Sequence, residues 1–454
     1  MKTNMIYCGD CKNVLANHIP DNSVDLIYVD PPFFSNKQYE VIWGDGYELR
    51  AFEDRWKGGI ENYIAWMEDK IRECHRVLKD TGSMYLHCDW HANAHLRILM
   101  DKIFGANNIV NEIIWKRTSA HTGEGKVRKF GAVHDTILFY AKSYNYTFNP
   151  QYIPLDEDYV AKFYRHTDEK GRRYRLSDLT ASGVRHGESG KNWEGIDVTA
   201  RGLHWKYTVS RLDELVKEGR IYFTKKRGGV PSYKRYLDEI KGQLLQDIWM
   251  DIQPIQAQSK ERLGYPTQKP ETLLERIIKI SSNPTDIVLD TMCGCGTALV
   301  VAHKLGRRWI GIDVSPSACK LMVKRMRKLG VAISEKDIIG LPRTLDEIKN
   351  LQPFEFQNWV CQKLMARVSK TKSGDMGIDG WIMGTIPLQV KQSESIGRNI
   401  VDNFETAIRR MKKTKGIIVA FSFGKGAYEE VARVKNEENL EIELKTVEEV
   451  LKET

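Results

Sequence analysis

The first 115 residues alternate short apolar runs with longer segments in which apolar residues recur at helical spacing. Short apolar runs predict buried strands, and the helical spacing predicts amphipathic helices. The predicted elements are, in order, a strand at 25–30, a helix at 60–78, a strand at 83–87, a helix at 92–104 and a strand at 109–115. This rhythm favours a parallel sheet covered by helices, as in an α/β domain.

The same alternation returns after residue 266. The predicted elements are a helix at 271–281, a strand at 286–290, a glycine turn, a helix at 297–305, a strand at 308–313 and a basic helix ending at 329. A linker and a third unit with its own α/β pattern follow. The pattern therefore predicts four parts: one catalytic domain made of 1–115 and 266–340, an inserted region at 116–265, a linker at 341–353 and a small domain at 354–454.

Nearly all the excess positive charge lies between residues 116 and 266. This segment holds 27 Lys and Arg against 19 Asp and Glu, an excess of +8, and the whole chain carries +9. A basic segment favours a polyanionic partner such as nucleic acid, although a solvated basic surface fits the charge alone equally well. Tyrosines interleave with the basic residues, a mixture that suits contacts to phosphates and bases. They are Tyr144, Tyr146, Tyr152, Tyr159, Tyr164 and Tyr174.

The composition is that of an ordinary globular protein. Of the 454 residues 41% are hydrophobic and 28% are charged, which excludes a disordered tail, a collagen-like fibre and a disulfide-stapled miniprotein. No apolar run is long enough to span a membrane, so no transmembrane helix is expected. The eight cysteines lack framework spacing, and we expect reduced thiols in a cytoplasmic protein.

The tetrapeptide Asp30-Pro31-Pro32-Phe33 follows the strand predicted at 25–30. Proline cannot continue a strand ladder, so the last carboxylate of this strand is expected at a loop mouth. A carboxylate and a proline-locked carbonyl can accept both N–H bonds of an exocyclic base amine, and an aromatic ring beside them can stack on the base. A base must leave its helix to reach such a site. The alternative is a strand-end turn with a capping aspartate.

A second motif, Asp290-Thr291-Met292-Cys293-Gly294-Cys295-Gly296-Thr297, follows a predicted strand and opens a helix. Two glycines let the backbone pass close to a ligand, and a helix N-terminus presents free N–H groups. Asp313 lies 23 residues beyond Asp290, at the end of the next strand, where a carboxylate suits two ribose hydroxyls. An ordinary strand–helix turn is the alternative. No P-loop lysine follows, which argues against a nucleoside triphosphate.

These two motifs, in this order and with Thr267-Gln268-Lys269-Pro270 between them, resemble the β class of DNA amino-methyltransferases. The resemblance covers about residues 4–330. It implies a Rossmann-like domain whose sheet is circularly permuted in sequence, with an inserted target-recognition region, S-adenosylmethionine as cofactor and double-stranded DNA as partner. An aspartate at the first motif position favours N6 of adenine, and N4 of cytosine is the alternative.

The resemblance also implies a role for each matching residue. Asp30 and the Pro31 carbonyl would hold the target amine, with Pro32 beside them and Phe33 stacked on the base. Five residues would hold the methionine and ribose parts of the cofactor: Asp290, Gly294, Gly296, Thr297 and Asp313. Lys269, in the stretch that begins at Thr267, would approach the cofactor carboxylate. Asp10 resembles an acidic contact near the cofactor adenine.

The third unit carries a different constellation. Asp379 follows a glycine-containing loop, and Gln389-Val390-Lys391 lies on the next predicted strand of a hairpin, with Gln389 and Lys391 on one face. Carboxylate and amide oxygens can bind Mg²⁺, and a lysine can orient a water for attack on a phosphodiester. This pattern resembles the Mrr-type restriction-endonuclease-like domain over about 354–451.

That resemblance implies a nuclease centre of Glu355, Asp379, Gln389 and Lys391, with Asp379 and Gln389 as metal ligands and Mg²⁺ as a candidate cofactor. The expected whole is then a restriction–modification enzyme in one chain. Two alternatives stay open: a C-terminal domain that binds DNA or a partner without cutting, and a DNA-cleaving enzyme whose methylase half senses sites. A homodimer is compatible with the sequence.

Two metal-like patterns favour other interpretations. Cys8 and Cys11 have zinc-ligand spacing, but no second pair lies nearby, so buried thiols beside a strand end are expected. The run from His87 to His91 follows a predicted strand at the mouth of the sheet, which favours lining of the active site over a metal cluster.

Overall fold

The computed structural model describes residues 1–34, 38–42, 48–53, 59–118, 130–226, 228–256, 258–263, 265, 267–368 and 377–452. The chain divides into two compact units, one formed by Met1–Asn149 with Gln246–Thr454 and the other by Pro150–Leu245. No helix among the described residues is both long and apolar enough to cross a membrane.

Among the described residues, seven strands and three α-helices precede the smaller unit. They are β1 (Met5–Cys8), α1 (Cys11–His18), β2 (Val24–Val29), β3 (Gln38–Ile42), β4 (Glu48–Glu53), α2 (Gly59–Val77), β5 (Leu78–Cys88), α3 (Asn93–Phe104), β6 (Ile109–Lys116) and β7 (His134–Ala141). The smaller unit contributes short elements. They are β8 (Tyr152–Ile153), α4 (Glu157–Phe163), β9 (His166–Thr167), β10 (Arg173–Asp178), β11 (Thr180–Ser182), β12 (Leu203–Trp205), α5 (Val209–Lys217), β13 (Ile221–Tyr222), β14 (Ser232–Tyr236) and β15 (Gln243–Leu244).

The chain then returns to the larger unit. The elements are β16 (Ile248–Trp249), α6 (Glu271–Ser281), β17 (Ile287–Asp290), α7 (Thr297–Lys304), β18 (Arg308–Asp313) and α8 (Pro316–Lys328). The C-terminal elements follow. They are α9 (Leu345–Lys349), α10 (Pro353–Lys363), β19 (Ala366–Val368), β20 (Gly380–Ile382), β21 (Ile386–Lys391), α11 (Arg398–Arg410), β22 (Lys415–Ala420), α12 (Lys425–Glu438), β23 (Glu441–Thr446) and α13 (Val447–Lys452).

An eight-stranded sheet forms the centre of the larger unit, in the order β1-β18-β17-β2-β5-β7-β6-β16. The strands from β1 to β5 in this order run parallel, whereas β7 is antiparallel to both of its neighbours. β17 lies between β18 and β2, and Asp290 pairs with Tyr28 on one side and with Gly311 on the other. The prediction of one circularly permuted Rossmann-like sheet built from two distant pieces of chain is confirmed.

The parallel strands are apolar because helices cover both faces of the sheet. Leu26, Ile27, Leu289 and Ile310 are completely buried. The predicted helix at 60–78 matches α2 within one residue, but the strand predicted at 83–87 begins earlier, at Leu78. Leu78 already pairs with Val24, and an irregularity in β2 separates that pair from the regular register that begins at Ser83.

The smaller unit contains fewer residues than the predicted insertion at 116–265. β7, at 134–141, lies inside the eight-stranded sheet, and only Pro150–Leu245 form the separate unit. Its core contains Trp193, Trp205 and the apolar face of α5. The tyrosines expected to contact nucleic acid differ in exposure: Tyr164 and Tyr174 are buried, Tyr146 and Tyr159 are half-buried, and Tyr144 and Tyr152 are exposed. The buried pair therefore stabilises the protein interior.

The C-terminal residues form a five-stranded sheet in the order β19-β20-β21-β22-β23, with β21, β22 and β23 parallel. β20 and β21 form the predicted antiparallel hairpin. The expected linker at 341–353 contains α9, whose Ile348 is completely buried in the core of this domain together with Phe356 and Val360 of α10. Residues 374–376 of the predicted loop before Asp379 lie outside the described residues.

Candidate active site

The carboxylates of both methyltransferase motifs meet at one edge of the eight-stranded sheet. β2, β17 and β18 are parallel neighbours, so their carboxyl ends share this edge, and Asp30, Asp290 and Asp313 stand at those ends. One cavity there is lined by the predicted residues of both motifs: Asp10, Asp30, Pro31, Pro32, Phe33, Thr267, Lys269, Asp290, Gly294, Thr297 and Asp313. The two motifs therefore face a common space, although their roles remain predictions.

Asp30 holds an ion pair with Lys269. The Lys269 Nζ lies 2.5 Å from Asp30 Oδ2 and 3.3 Å from the Thr267 carbonyl oxygen. It also lies 5.0 Å from the centre of the Phe33 ring. Asp30 Oδ1 is buried and has no hydrogen-bond partner among the described residues. Lys269 was expected at the cofactor carboxylate, and this structure pairs it with the catalytic candidate instead.

Phe33 is held from behind by a buried polar network. Its ring stacks on His87, with 5.7 Å between ring centres and 23° between planes. His87 is bound through Nδ1 to the Tyr28 hydroxyl at 2.9 Å and through Nε2 to Asp135 Oδ2 at 3.1 Å. His87 and Asp135 are completely buried, and Arg117 lies 3.3 Å from the other oxygen of Asp135. The network fixes the Phe33 face that would receive a base.

The position of His87 at the end of a strand indicated lining of the active site, but its link to Asp135 could not be seen in the sequence. Asp135 lies on β7, which the sequence placed in the inserted region. The Pro32 carbonyl is fixed as well, because the Tyr63 hydroxyl donates a 2.8 Å hydrogen bond to it. Tyr63 projects from α2, which therefore positions the proline loop.

The glycine turn requires both of its glycines. Gly294 and Gly296 have φ of +50° and +75°, which side chains with a Cβ rarely adopt. A Cβ on Gly294 would lie 2.9 Å from the Tyr265 ring, and one on Gly296 would lie 2.6 Å from Met322 Cγ. Gly296 does not line the cavity. Glycine is required there for a steric reason, because the absence of a side chain lets α7 approach α8.

Asp313 ties this turn to the neighbouring strand. Its Oδ2 accepts a 2.7 Å hydrogen bond from the Gly294 N–H, and its Oδ1 accepts one of 2.9 Å from the Ser315 N–H. Burial raises the pKa of Asp313 to about 6. Burial also raises the pKa of Asp290 to about 8, and the negative charges of Asp30 and Asp313 contribute to that rise. Asp290 is therefore largely protonated at pH 7.

Asp10 and Thr267 stand at the margins of the cavity. Asp10 caps α1 by accepting hydrogen bonds from the Lys12 and Asn13 N–H groups, and it lies 3.1 Å from the buried Lys70 Nζ. Thr267 is exposed and has φ of +64°, a strained value for a threonine. The turn that contains it places Lys269 beside Asp30.

The residues of the glycine turn fit a compact ligand that carries a positive charge. Three carboxylates, Asp30, Asp290 and Asp313, surround the space next to a turn whose backbone is exposed by glycine. Burial makes Asp290 and Asp313 costly to ionise, the charges of Asp30 and Asp313 add to that cost at Asp290, and a cation among them relieves it. An S-adenosyl ligand with an ammonium and a sulfonium has such a charge.

The nuclease candidates occupy the hairpin of the C-terminal sheet. Asp379 Oδ2 accepts a 2.7 Å hydrogen bond from the Val390 N–H, which fixes it beside β21. Gln389 is 3% exposed, and its Oε1 has no partner among the described residues. Lys391 lies two residues further on the same face of β21. Asp379, Gln389 and Lys391 are thus brought together at one end of this hairpin.

The role of Glu355 in this centre stays a prediction, because the described interactions of Glu355 are with the end of β18. The helix residue that contacts the Asp379 segment is Gln357, whose Nε2 donates a 3.1 Å hydrogen bond to the Asp379 carbonyl. Glu355 lies two positions before Gln357 on α10. Two positions correspond to more than half a turn of the helix, so the two side chains point to nearly opposite sides of it. The charge that acts on Glu355 is that of Asp313 in the methyltransferase sheet.

Glu355 is an unusual buried acid. It is 2% exposed, and neither carboxyl oxygen has a hydrogen-bond partner among the described residues. Burial raises its pKa well above the ordinary value, the negative charge of Asp313 adds to the rise, and the nearby Ser315 hydroxyl opposes it. A further contact between the two parts is the 2.6 Å hydrogen bond from Gln362 Nε2 to Ser317 Oγ. The side of α10 that carries Glu355 therefore packs beside the end of β18.

The residues of the two metal-like sequence patterns have other surroundings. All eight cysteines are free and buried, as expected for reduced thiols. His91 lies 2.9 Å from Asp89 Oδ2 and pairs with it. Among the described residues one group of three acids has metal-like spacing, Asp402, Glu405 and Glu430, but Arg433 and Arg398 neutralise it.

Comparison with known proteins gives two family matches. A family model described as DNA methylase matches residues 24–324, and one described as restriction endonuclease matches residues 348–452. The first match covers more than half of the chain and includes both motifs of the cavity. The second covers the five-stranded C-terminal domain.

Three relatives illustrate the likeness. Type II methyltransferase M.EcaI of Enterobacter cloacae is 34% identical over 302 residues, 66% of this chain and 64% of that protein. The Type III restriction-modification enzyme StyLTI Mod subunit of Salmonella typhimurium is 29% identical over 453 residues, 92% of this chain and 65% of that protein. DNA adenine methyltransferase YhdJ of Escherichia coli is 28% identical over 309 residues, 68% and 78% of the two chains. The chain thus spans just under two thirds of the length of the first two.

Glu355→Gln tests the burial of this carboxyl. The raised pKa means that the folded protein binds this proton more tightly than the unfolded chain, so the contribution of Glu355 to stability falls as pH rises above about 4.5. Glutamine cannot ionise. We expect little difference in Tm at pH 5 and a Tm higher by about 2–4 °C at pH 8.5, measured by thermal unfolding. The exposed Glu429→Gln is the control, and a difference that does not vary with pH would contradict the interpretation.

Proposed function

Because the chain belongs to the DNA methylase family, we propose that it methylates DNA, moving a methyl group from S-adenosylmethionine to the N6 amine of adenine in a flipped-out base. The observation that carries this proposal is the single cavity lined by both Asp30 and Gly294. An amine held at Asp30 and a methyl donor held at Gly294 would share one space, which is the geometry that a direct transfer needs.

Asp30 and Phe33 are suited to hold the base. The lone pair of an exocyclic amine is conjugated into the ring, so acceptors at its N–H bonds favour the tetrahedral nitrogen that attacks a methyl group. Asp30 Oδ1 is a buried acceptor with no partner among the described residues, and it lies beside a fixed aromatic face. The Pro31 carbonyl is proposed as the second acceptor, and unstacking of the base supplies access.

Asp290, Gly294, Thr297 and Asp313 are proposed to hold the cofactor, with Gly296 shaping the turn. When bound, the cofactor supplies an electrophilic methyl group on a sulfonium that is itself a good leaving group. The protein contributes approach geometry, exclusion of water and the carboxylates that bind the ligand's positive charge. Asp10, next to Lys70, is proposed at the adenine end.

Adenine is the proposed target base, and cytosine N4 is the alternative. Two facts favour adenine: an aspartate rather than a serine stands at residue 30, and the related YhdJ protein is named a DNA adenine methyltransferase. Double-stranded DNA is the proposed partner. The smaller unit and its flanks, with their basic residues, would contact phosphates and base edges.

The C-terminal domain is proposed as a Mg²⁺-dependent nuclease, which would make the chain a restriction–modification enzyme. The restriction endonuclease match and the clustering of Asp379, Gln389 and Lys391 favour cleavage. Gln357 enters this proposal in place of Glu355, because Gln357 contacts the Asp379 segment. DNA binding without cleavage is the alternative outcome of the test below.

Asp30→Ala tests the methyl-transfer proposal. Labelled-methyl incorporation into DNA should fall by roughly 10²–10³-fold, the scale of removing one group that stabilises a transition state. Affinity for S-adenosylhomocysteine, measured calorimetrically, should be retained and serves as the control for folding. Sequencing DNA from cells that express the wild-type chain identifies the modified base and its context. Equal incorporation by the variant would remove Asp30 from the mechanism.

The raised pKa of Asp290 predicts how cofactor affinity varies with pH. Below about 8 the carboxyl is mostly protonated and cannot attract the ammonium of the ligand, so affinity for S-adenosylhomocysteine should rise as pH increases from 6 to 8.5. Binding at pH 7 should release a proton, which calorimetry in buffers of different ionisation enthalpy measures. Asp290→Asn should bind more weakly and lose this pH dependence. A wild-type affinity that is flat over this range would refute the assignment.

Lys391→Ala tests the nuclease proposal. Supercoiled plasmid in both methylation states is incubated with Mg²⁺ and the wild-type chain or the variant, and nicked and linear forms are measured. We expect metal-dependent cleavage by the wild type and its loss in the variant. Lys435→Ala, an exposed position on α12, is the matched control and should cut like the wild type. If the wild type cleaves neither the methylated nor the unmethylated plasmid, the result would favour DNA binding without cleavage.

A further inference from the structure

The Lys269 ammonium occupies the place where the proposed target amine would be held. It lies 2.5 Å from Asp30 Oδ2 and 5.0 Å from the Phe33 ring centre, so it neutralises the proposed acceptor and covers the face on which a base would stack. The Lys269 side chain is 8% exposed and the Asp30 side chain 17%. The pair is therefore shielded from solvent, where a charge–charge contact is strong.

Lys269 obstructs the entry of a base to this place. Its ammonium covers the Phe33 face and holds Asp30 Oδ2, and this full charge weakens Asp30 as an acceptor for a neutral amine even at Oδ1, which has no partner among the described residues. Lys269 can leave only if another anion receives it, because a buried lysine without a partner is costly. The adjoining part of the same cavity is where the proposed cofactor, with its amino-acid carboxylate, would lie.

We propose that Lys269 is a positioning residue that exchanges partners, leaving Asp30 for the carboxylate of the bound cofactor, so that the base site opens only when the cofactor is present. This inference rests on the proposed function of the cavity. Capture of the extruded base then follows cofactor binding. The backbone around Thr267 is already strained, with φ of +64°, and its carbonyl accepts from Lys269, so a small change in this turn moves the lysine.

The exchange is tested by base extrusion, which is separate from methyl transfer. A DNA duplex carries 2-aminopurine at the methylated position identified by sequencing, and its fluorescence rises when the base leaves the stack. Two ligands are compared at saturation: S-adenosylhomocysteine, and 5′-methylthioadenosine, which shares its adenosine and thioether but lacks the amino-acid carboxylate. For the wild type we expect a severalfold rise in fluorescence with the first ligand and little change with the second or with none.

Two variants separate charge from shape. Lys269→Met keeps a long side chain without charge, and it should extrude the base without any ligand, to about the level of the wild type with S-adenosylhomocysteine. Lys269→Arg keeps the charge and should retain ligand dependence. Because the methionine variant is measured without ligand, a loss of cofactor affinity does not obscure the result. A thermal unfolding curve confirms that each variant is folded.

Three results would overturn the exchange. They are equal wild-type fluorescence with both ligands, equal fluorescence with and without ligand, and a methionine variant that is folded but still needs a ligand. Methyl transfer to unmodified DNA is measured on the same wild-type preparation. Transfer together with ligand-independent extrusion would refute the exchange and leave the proposed function standing, whereas absence of transfer to any DNA would remove the function itself.

Discussion

The parallel pairing of β2 with β17 is the constraint on which the site depends. It joins two segments more than 250 residues apart in the chain, and it places Asp30 and Asp290 at the same edge of the sheet. Because the pairing is buried, with Leu26, Ile27 and Leu289 completely inaccessible, a slip of one residue would turn these side chains to the wrong face. The relative position of the two motifs is therefore fixed by the core and not by the loops.

The electrostatics of the cavity follow from this convergence. Four aspartates and two lysines line it among the described residues, so negative charge is in excess. Burial raises the pKa of Asp290 to about 8, and the negative charges of Asp30 and Asp313 add to the rise. Lys269 and Lys70 offset part of this cost at Asp30 and Asp10. A cationic ligand would add to this compensation.

Much of this arrangement could be predicted from the sequence, because the signals were local. Prolines after Asp30 and glycines at 294 and 296 mark chain reversals whatever the tertiary context, and apolar periodicity located most strands and helices of the sheet. Contacts between distant elements could not be predicted in the same way. The pairing of Lys269 with Asp30, and the position of β7 in the central sheet, depend on which strands become neighbours. The contact of Gln357 with the Asp379 segment could not be predicted for that reason: Glu355 and Gln357 both follow a phenylalanine, and only packing shows that Gln357 contacts the Asp379 carbonyl.

The location of Glu355 connects the two halves of the chain physically. Its carboxyl is buried on the first long helix of the C-terminal domain, and its oxygens have no hydrogen-bond partner among the described residues. The charge that acts on it is that of Asp313, which holds the glycine turn. Any charge that enters the cavity near Asp313 changes the free energy of ionising Glu355, and by linkage the protonation of Glu355 changes the affinity for that charge. The glycine turn and the C-terminal domain therefore share a neighbour, although their proposed reacting groups lie on different sheets.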